Sequence, residues 1–279
     1  MQNSLPLLFA LLLGFLVVRG GCKPFLNLLR KAGAIRPNYR GQEIPVGGGV
    51  LFFFALLVGV PGVYLFPPAS LEGQRIVGFL FLTALTTLVG LLDDAWGSRR
   101  ASGFKGHFGR LFRGELTTGA LKAMATMAGS LILFLPGSAV GEGVLNAVLV
   151  ALWVNTLNLF DLRPGRAGKV FLVTAVVLTA AAWRSPELYL LWVVGGALCA
   201  FLPFDLRGKA MMGDAGANTL GAVIGATIAW TLGTEARLGI LFGLLTLHIL
   251  TERYSLTEII SRNRVLNSLD RLGRMKDEE

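Results

Sequence analysis

Four short groups of residues in this chain have the types and spacing for phosphate chemistry, and each stands at the end of an apolar run. Gly90-Leu91-Leu92-Asp93-Asp94 delivers two adjacent carboxylates. Two bare carboxylates side by side repel, so one takes up a proton or both share a cation, for which a hard divalent ion is the economical partner. Read alone, the pair is more often a solvated helix end closed at Gly97. Asn158 and Asp161 are spaced i, i+3 on one helical face and are followed by Arg163, Arg166 and Lys169. Met212-Gly213-Asp214-Ala215-Gly216 opens another run, where a carboxylate for metal meets helix N-terminal amides for phosphate. Pro45-Val46-Gly47-Gly48-Gly49 is a turn whose N–H groups can meet an anion or whose glycines let helices pack closely.

Lys122 is the odd cation. It lies about six residues, or roughly 9 Å at 1.5 Å per residue, inside an apolar run, where a lysine is functional or reaches back to the interface. His107 and His248 stand apart and make no transition-metal signature. Aspartates with magnesium, basic residues and glycine turns are the parts phosphoryl transfer needs, because the work is positioning and charge neutralisation. Parts held at helix ends of a membrane protein imply that one substrate is a lipid phosphate.

The elements that position these groups are membrane helices. The 279 residues are 53% hydrophobic and 15% charged, against about 25% charged in a soluble domain. Apolar runs near residues 5–18, 46–66, 76–92, 116–135, 144–160, 168–183, 188–204, 215–232 and 237–250 give about nine transmembrane candidates. The expected fold is an all-α polytopic membrane helix bundle, a single domain over residues 1–251, with a basic amphipathic tail over 252–279. The net charge of +9 is a topology signal and not a nucleic-acid footprint, because Lys and Arg crowd alternate connections. Those connections hold residues such as Arg30, Arg36, Arg99, Lys105, Arg163, Arg166 and Arg207, whereas the others hold Arg75, Arg184 and Arg237. The positive-inside rule then sets the N-terminus outside and the C-terminus in the cytoplasm. All seven aspartates fall on the cytoplasmic side of this map, so the four groups share one face.

The first apolar run lacks a basic leading segment and a small-residue cleavage site and reads as a retained helix. Cys22 and Cys199 are expected to stay unpaired. Between Glu252 and Arg274, apolar residues at helical spacing among arginines suit a helix lying on the inner leaflet or, equally, one packed on the cytoplasmic loops.

In this order and on this face the motifs resemble those of the polyprenyl-phosphate N-acetylhexosamine-1-phosphate transferase family. Pro45 to Gly48 resembles its Pro-x-x-Gly-Gly turn, Asp93-Asp94 its Asp-Asp motif, Asn158-Leu-Phe-Asp161 its Asn-x-x-Asp motif, and Met212 to Gly216 its Met-Gly-Asp-x-Gly motif; Lys122 matches a lysine after the Asp-Asp pair. The resemblance covers about residues 35–225. It implies transfer of sugar-1-phosphate from a UDP-sugar to undecaprenyl phosphate, with magnesium and release of UMP, starting a peptidoglycan-type cell-envelope lipid intermediate. It further implies a bacterial inner-membrane location, no nucleic-acid partner, and room for a homodimer. The roles it implies are catalytic for Asp93, Asp94, Asp161 and Lys122, metal-binding for Asp214 and Asp94, and substrate-binding for Asn158, Arg163, Arg166, Lys169, Gly47 and Gly48.

There are departures. Pro164 stands where the family has a second aspartate of the nucleotide site, Asp205 stands where it has asparagine, and its histidine-rich loop and tenth span have no counterpart. The competing expectation is a relative that keeps the fold and binds lipid phosphate or a partner enzyme without turnover. A transporter fits less well, since apart from Lys122 and His248 the runs carry no ionisable group to line a path.

Overall fold

A computed structural model describes residues 4–65, 72–97 and 113–274. The basic residues Arg99, Arg100, Lys105 and Arg110, His107, and Lys276 with Asp277 lie outside the described residues. The chain is helical almost throughout: α1 (Ser4–Lys31), α2 (Val50–Gly59) continued by a 3-10 turn (Val60–Leu65), α3 (Gly73–Trp96), α4 (Thr118–Phe134), α5 (Val140–Phe160), α6 (Arg166–Ala181), α7 (Leu188–Leu206), α8 (Gly213–Thr231), α9 (Thr234–Arg253), α10 (Leu256–Arg262) and α11 (Arg264–Arg271). Five of these, α1, α3, α5, α7 and α9, are long and apolar enough to cross a membrane. The architecture is an all-α membrane bundle.

One small exception is a hairpin between α1 and α2, in which β1 (Ile35–Pro37) runs antiparallel to β2 (Glu43–Pro45) with Ile35 opposite Pro45. Asn38 organises its turn, accepting the N–H groups of Arg40 at 2.8 Å and Gln42 at 3.0 Å on its side-chain oxygen.

The bundle is built around α8, where residues 215–229 are all buried. A helix enclosed on every side must be apolar over most of its surface, and must offer small residues where neighbours cross. Both hold. A Cβ added to Gly221 would lie 2.4 Å from Cα of Val154, and one on Gly225 would lie 2.7 Å from Cα of Val150, so α5 rests directly on the glycine stripe of α8. The α1–α7 crossing is reciprocal, with Gly14 against the carbonyl of Val193 and Gly196 against that of Leu11. Several threonines inside the bundle return their hydroxyls to backbone carbonyls of their own helix, as water is not there to solvate them. Thr83 and Thr87 on α3 return their hydroxyls to the carbonyls of Phe79 and Thr83, and the hydroxyls of Thr87 and Thr219 meet at 2.6 Å.

Three boundaries differ from the sequence reading. The first helix continues past the apolar run through the basic residues to Lys31, because Val18, Cys22, Leu26 and Leu29 keep one buried stripe at helical spacing. The second apolar run tightens into a 3-10 turn at Val60, beside Pro61, whose ring nitrogen has no hydrogen to donate. The tail is two helices, not one. Asn263 takes an extended backbone and accepts the N–H groups of Val265 and Leu266, which starts α11 afresh. The tail packs in part on neighbouring connections, with Ile260 and Asp270 buried, and leaves Ile259, Val265, Leu266 and Leu269 exposed on its other side.

Far from the site, α9 is tied to α5 by Arg237, which meets Glu142 at 2.6 Å and Asn146 at 2.5 Å.

Candidate active site

The C-termini of α3, α5 and α7 and the N-termini of α4, α6 and α8 meet at one end of the bundle. The contact that sets the site is α3 on α8. A Cβ on Gly90 would lie 2.5 Å from the backbone of Asp214 and Ala215, so only glycine lets the last turn of α3 rest on the first turn of α8. One turn later, Asp94 closes that helix start. Its two carboxylate oxygens accept the N–H groups of Asp214 at 2.8 Å and Ala215 at 3.1 Å, satisfying amides that have no partner within the helix and facing the positive end of its dipole. Gly213 is required twice over: its φ is +69°, and a Cβ there would lie 2.3 Å from the Asp94 carboxylate.

Asp93 points elsewhere. Its carboxyl lies beside the carboxyl of Asp214 and the hydroxyl of Thr118. Lys122, from the start of α4, places Nζ 2.7 Å from Asp214 and 3.7 Å from Asp93. The result is two carboxylates bridged by one ammonium, partly open to the outside.

Asn158 and Asp161 close the other side. The amide of Asn158 donates to the side-chain oxygen of Asn218 at 2.7 Å, and Asn218 in turn donates to the carbonyl of Thr86 at 3.2 Å. The side-chain oxygen of Asn158 is buried and finds no partner among the described residues. Asp161 caps α5. Burial first, then the charges of Asp205, Asp214 and Asp94, push its carboxyl well above the ordinary carboxylate range. Asp161 therefore feels the charges of three other aspartates at this end, while Lys122 sits between Asp93 and Asp214.

The glycine turn supports this end from behind. Gly48 and Gly49 donate their N–H groups to the carbonyls of Met211 and Met212 at 3.1 and 2.9 Å, and Met211 donates to Pro45 at 2.9 Å. The amide of Gly48 is thus committed to the segment leading into α8. Gly47, at φ +85°, backs Leu91 and Asp94. Arg163 lies over the ring of Tyr39 at 5.5 Å. Arg166 and Lys169 face the tail. The guanidinium of Arg166 forms two bonds to the Asp270 carboxylate, at 2.8 and 2.9 Å, and one to Thr257 at 3.0 Å; Lys169 donates to the carbonyls of Leu269 and Asp270.

Several residues of this end carried no role in the sequence reading. Arg36 of the hairpin donates to the carbonyls of Asp94 and Ala95, closing α3. Asp205 accepts the N–H of Gly165 at 2.8 Å. Asn218 was detectable, since it sits one turn after Asp214 on the same face. Arg36 was not: its only sequence signal was its charge.

Among the described residues no three Asp, Glu, His or Cys groups lie close enough to cage a metal ion. Magnesium does not need such a cage, because it is ordinarily held by one or two carboxylates together with water and substrate phosphate oxygens. The Asp93–Asp214 pair fits that donor set.

Residues 76–232, more than half of the chain, match the model of a family described as glycosyl transferase family 4. The decaprenyl-phosphate N-acetylglucosaminephosphotransferase of Mycolicibacterium smegmatis is 27% identical over 221 residues, covering 69% of this chain and 51% of the relative. That of Mycobacterium leprae is 27% identical over 212 residues, covering 68% and 51%. The chain thus spans about half the length of the curated relatives it matches. The matched region runs from α3 to the end of α8 and takes in the carboxylates, Lys122 and the asparagine pair, so the chain, a multi-pass membrane protein, belongs to glycosyl transferase family 4.

Proposed function

We propose that the chain transfers a sugar-1-phosphate from a UDP-sugar to a polyprenyl phosphate, undecaprenyl phosphate in the first instance, and releases UMP. The observation that carries the reading is the bridge from Lys122 to Asp214 and Asp93 at the start of a buried helix. Carboxylates that need a cation, beside a lysine that can follow charge onto a phosphate, match the demands of phosphoryl transfer. The names of the relatives, which pair a polyprenyl phosphate with an amino-sugar phosphate, support it.

In this reading an oxygen of the lipid phosphate attacks the phosphorus that bears the sugar. The bond from that phosphorus to the UMP oxygen breaks, leaving a polyprenyl diphosphate sugar and UMP. Asp214 and Asp93 would hold Mg2+, which when bound would neutralise phosphate charge, whereas Asp94, expected from the sequence as a metal ligand, has both carboxylate oxygens on the amides of Asp214 and Ala215. Lys122 gives its ammonium to the charge gathering on the phosphoryl oxygens. Asp94 keeps α8 in place beneath them and does not leave its amides. The unpartnered oxygen of Asn158 accepts a hydrogen bond from the donor, and Arg163 lies at the same rim. Nine helical crossings, the N-terminus outside and the site on the cytoplasmic face follow from the charge map and give the site access to soluble nucleotide sugar.

The test is transfer of radiolabelled sugar phosphate from a panel of UDP-sugars to undecaprenyl and decaprenyl phosphate with Mg2+, beside an Asp214→Asn control. Product that the control abolishes is expected. No product from any donor, or product undiminished in the control, overturns the reading and leaves a non-catalytic lipid-phosphate binder.

A further inference from the structure

The turn between α5 and α6 carries Asp161 and Arg163, and the C-terminal tail grips this turn and the start of α6 at three points. Arg274 donates from Nε to the carbonyl of Pro164 at 2.8 Å. Asp270 receives Arg166, one residue past the turn, through two bonds, and the same carboxylate accepts a bond from Arg274 at 2.5 Å. Lys169 closes the end of α11 by donating to the carbonyls of Leu269 and Asp270 at 3.0 and 2.6 Å. Behind the turn, Asp205 holds the N–H of Gly165, and Leu206 fills the space beside both Gly165 and Gly273.

This is more than a surface ion pair. Arg166 and Asp270 expose only 5% and 8% of their side chains, and every nitrogen of the guanidinium is bonded. A buried pair with a fixed fork adds little net stability, but it sets geometry, because displacing one partner strands the other charge. What the pair fixes is the backbone that leads from Asp161 to the first turn of α6.

We propose that Asp270 is a positioning residue for donor binding: through Arg166 and Arg274 the tail holds the Asp161–Gly165 turn in the shape that the nucleotide sugar meets. The lipid phosphate approaches Asp93, Asp214 and Lys122, which the tail does not touch, so the two substrates should respond differently to loss of the grip. This rests on the proposed transfer reaction.

The test uses the full chain in lipid nanodiscs, with Asp270→Asn and Asp270→Glu variants. Kinetics of sugar-phosphate transfer are measured against each substrate, and amide hydrogen exchange is followed over residues 161–169. Asp270→Asn is expected to speed exchange there and to raise the donor KM about tenfold or more, as misplacement of a positioned group does. The KM for polyprenyl phosphate should stay within about twofold, and Asp270→Glu should restore most of the donor affinity. Unchanged exchange over 161–169 in Asp270→Asn overturns the grip. Faster exchange with both KM values unchanged, or with both raised alike, overturns the donor role. If the unaltered chain yields no product with any UDP-sugar, the donor role falls with the transfer reaction, while the exchange result still decides the grip.

Discussion

The carboxylate of Asp94 straddles the first free amides of α8, one oxygen 2.8 Å from the N–H of Asp214 and the other 3.1 Å from that of Ala215. Its neighbour Asp93 instead turns toward Lys122 and the side chain of Asp214. Adjacent in sequence, the two aspartates have separate duties. Asp94→Ala should therefore cost about 1–2 kcal/mol of stability, the usual loss for a helix cap facing the dipole. Asp93→Asn should cost under about 0.5 kcal/mol and lower transfer by roughly a hundredfold or more. Thermal unfolding in detergent beside the transfer rate separates them; the same profile for both variants would contradict this division.

A divalent cation held by Asp214, as proposed, would compete with Lys122, whose ammonium already sits 2.7 Å from that carboxylate. Lys122→Met should lower kcat about 10²- to 10³-fold, as loss of a charge aimed at the phosphoryl group does. The same variant should bind Mg2+ more tightly, because the competing ammonium is gone. A Mg2+ titration followed by tryptophan fluorescence reads this directly, and weaker binding would show that Lys122 assists the metal.

The charged residues of this end could be picked out in the sequence because such groups are expensive in a membrane. Asp93, Asp214 and Lys122 stand out against apolar runs, and helix termini are where such groups collect. The second level was harder. Arg166 and Lys169 look like phosphate ligands in the sequence, and only the fold shows their donors turned to Asp270 and to carbonyls of α11. That pairing spans about a hundred residues, and no local periodicity encodes it. The break at Asn263 was hidden for another reason: the apolar spacing of the tail suits one helix as well as two, and a single side-chain cap decides.

The glycine turn makes a steric prediction. A Cβ on Gly49 would lie 2.0 Å from Cα of Gly216, which is backbone and cannot rotate away. Gly49→Ala should lower stability by about 1–3 kcal/mol and reduce activity by shifting the start of α8. Gly243→Ala in α9, where a Cβ would meet nothing within 4 Å, should be neutral or stabilise by about 0.5–1 kcal/mol. Equal effects at the two positions would show that the close approach of α2 to α8 is not what requires glycine.

The tail carries a pH dependence of fixed sign. Burial alone would raise the carboxyl of Asp270, but the hydrogen bonds and charge of Arg166, and then of Arg274, outweigh it and hold the group below its ordinary value. A carboxyl lowered in the folded state contributes stability above its unfolded pKa of about 3.9 and loses it as pH falls through the folded value. Docking of α11 should therefore be constant from neutral pH down to about 4 and weaken below it. Amide protection over residues 264–274, corrected for intrinsic exchange, should fall in that window for the unaltered chain. The Asp270→Asn variant should show no such step.

Asn158 ties the donor side to the core. Its amide donates to Asn218 at 2.7 Å, Asn218 passes a bond on to the carbonyl of Thr86 at 3.2 Å, and its own oxygen remains unused among the described residues. A buried acceptor left without a donor costs about 1–3 kcal/mol. Asn158→Ala exchanges the unpartnered oxygen of Asn158 for a stranded one on Asn218 and opens a small cavity, so its net cost should be about 1 kcal/mol, and it should also remove the acceptor offered to the donor. Replacing Asn218 with Leu beside Asn158→Ala strands no side-chain oxygen, so the double variant should recover part of the lost stability while the KM for the nucleotide sugar stays high. Recovery of both together would reduce Asn158 to a packing role; recovery of stability alone would assign its free oxygen to the substrate.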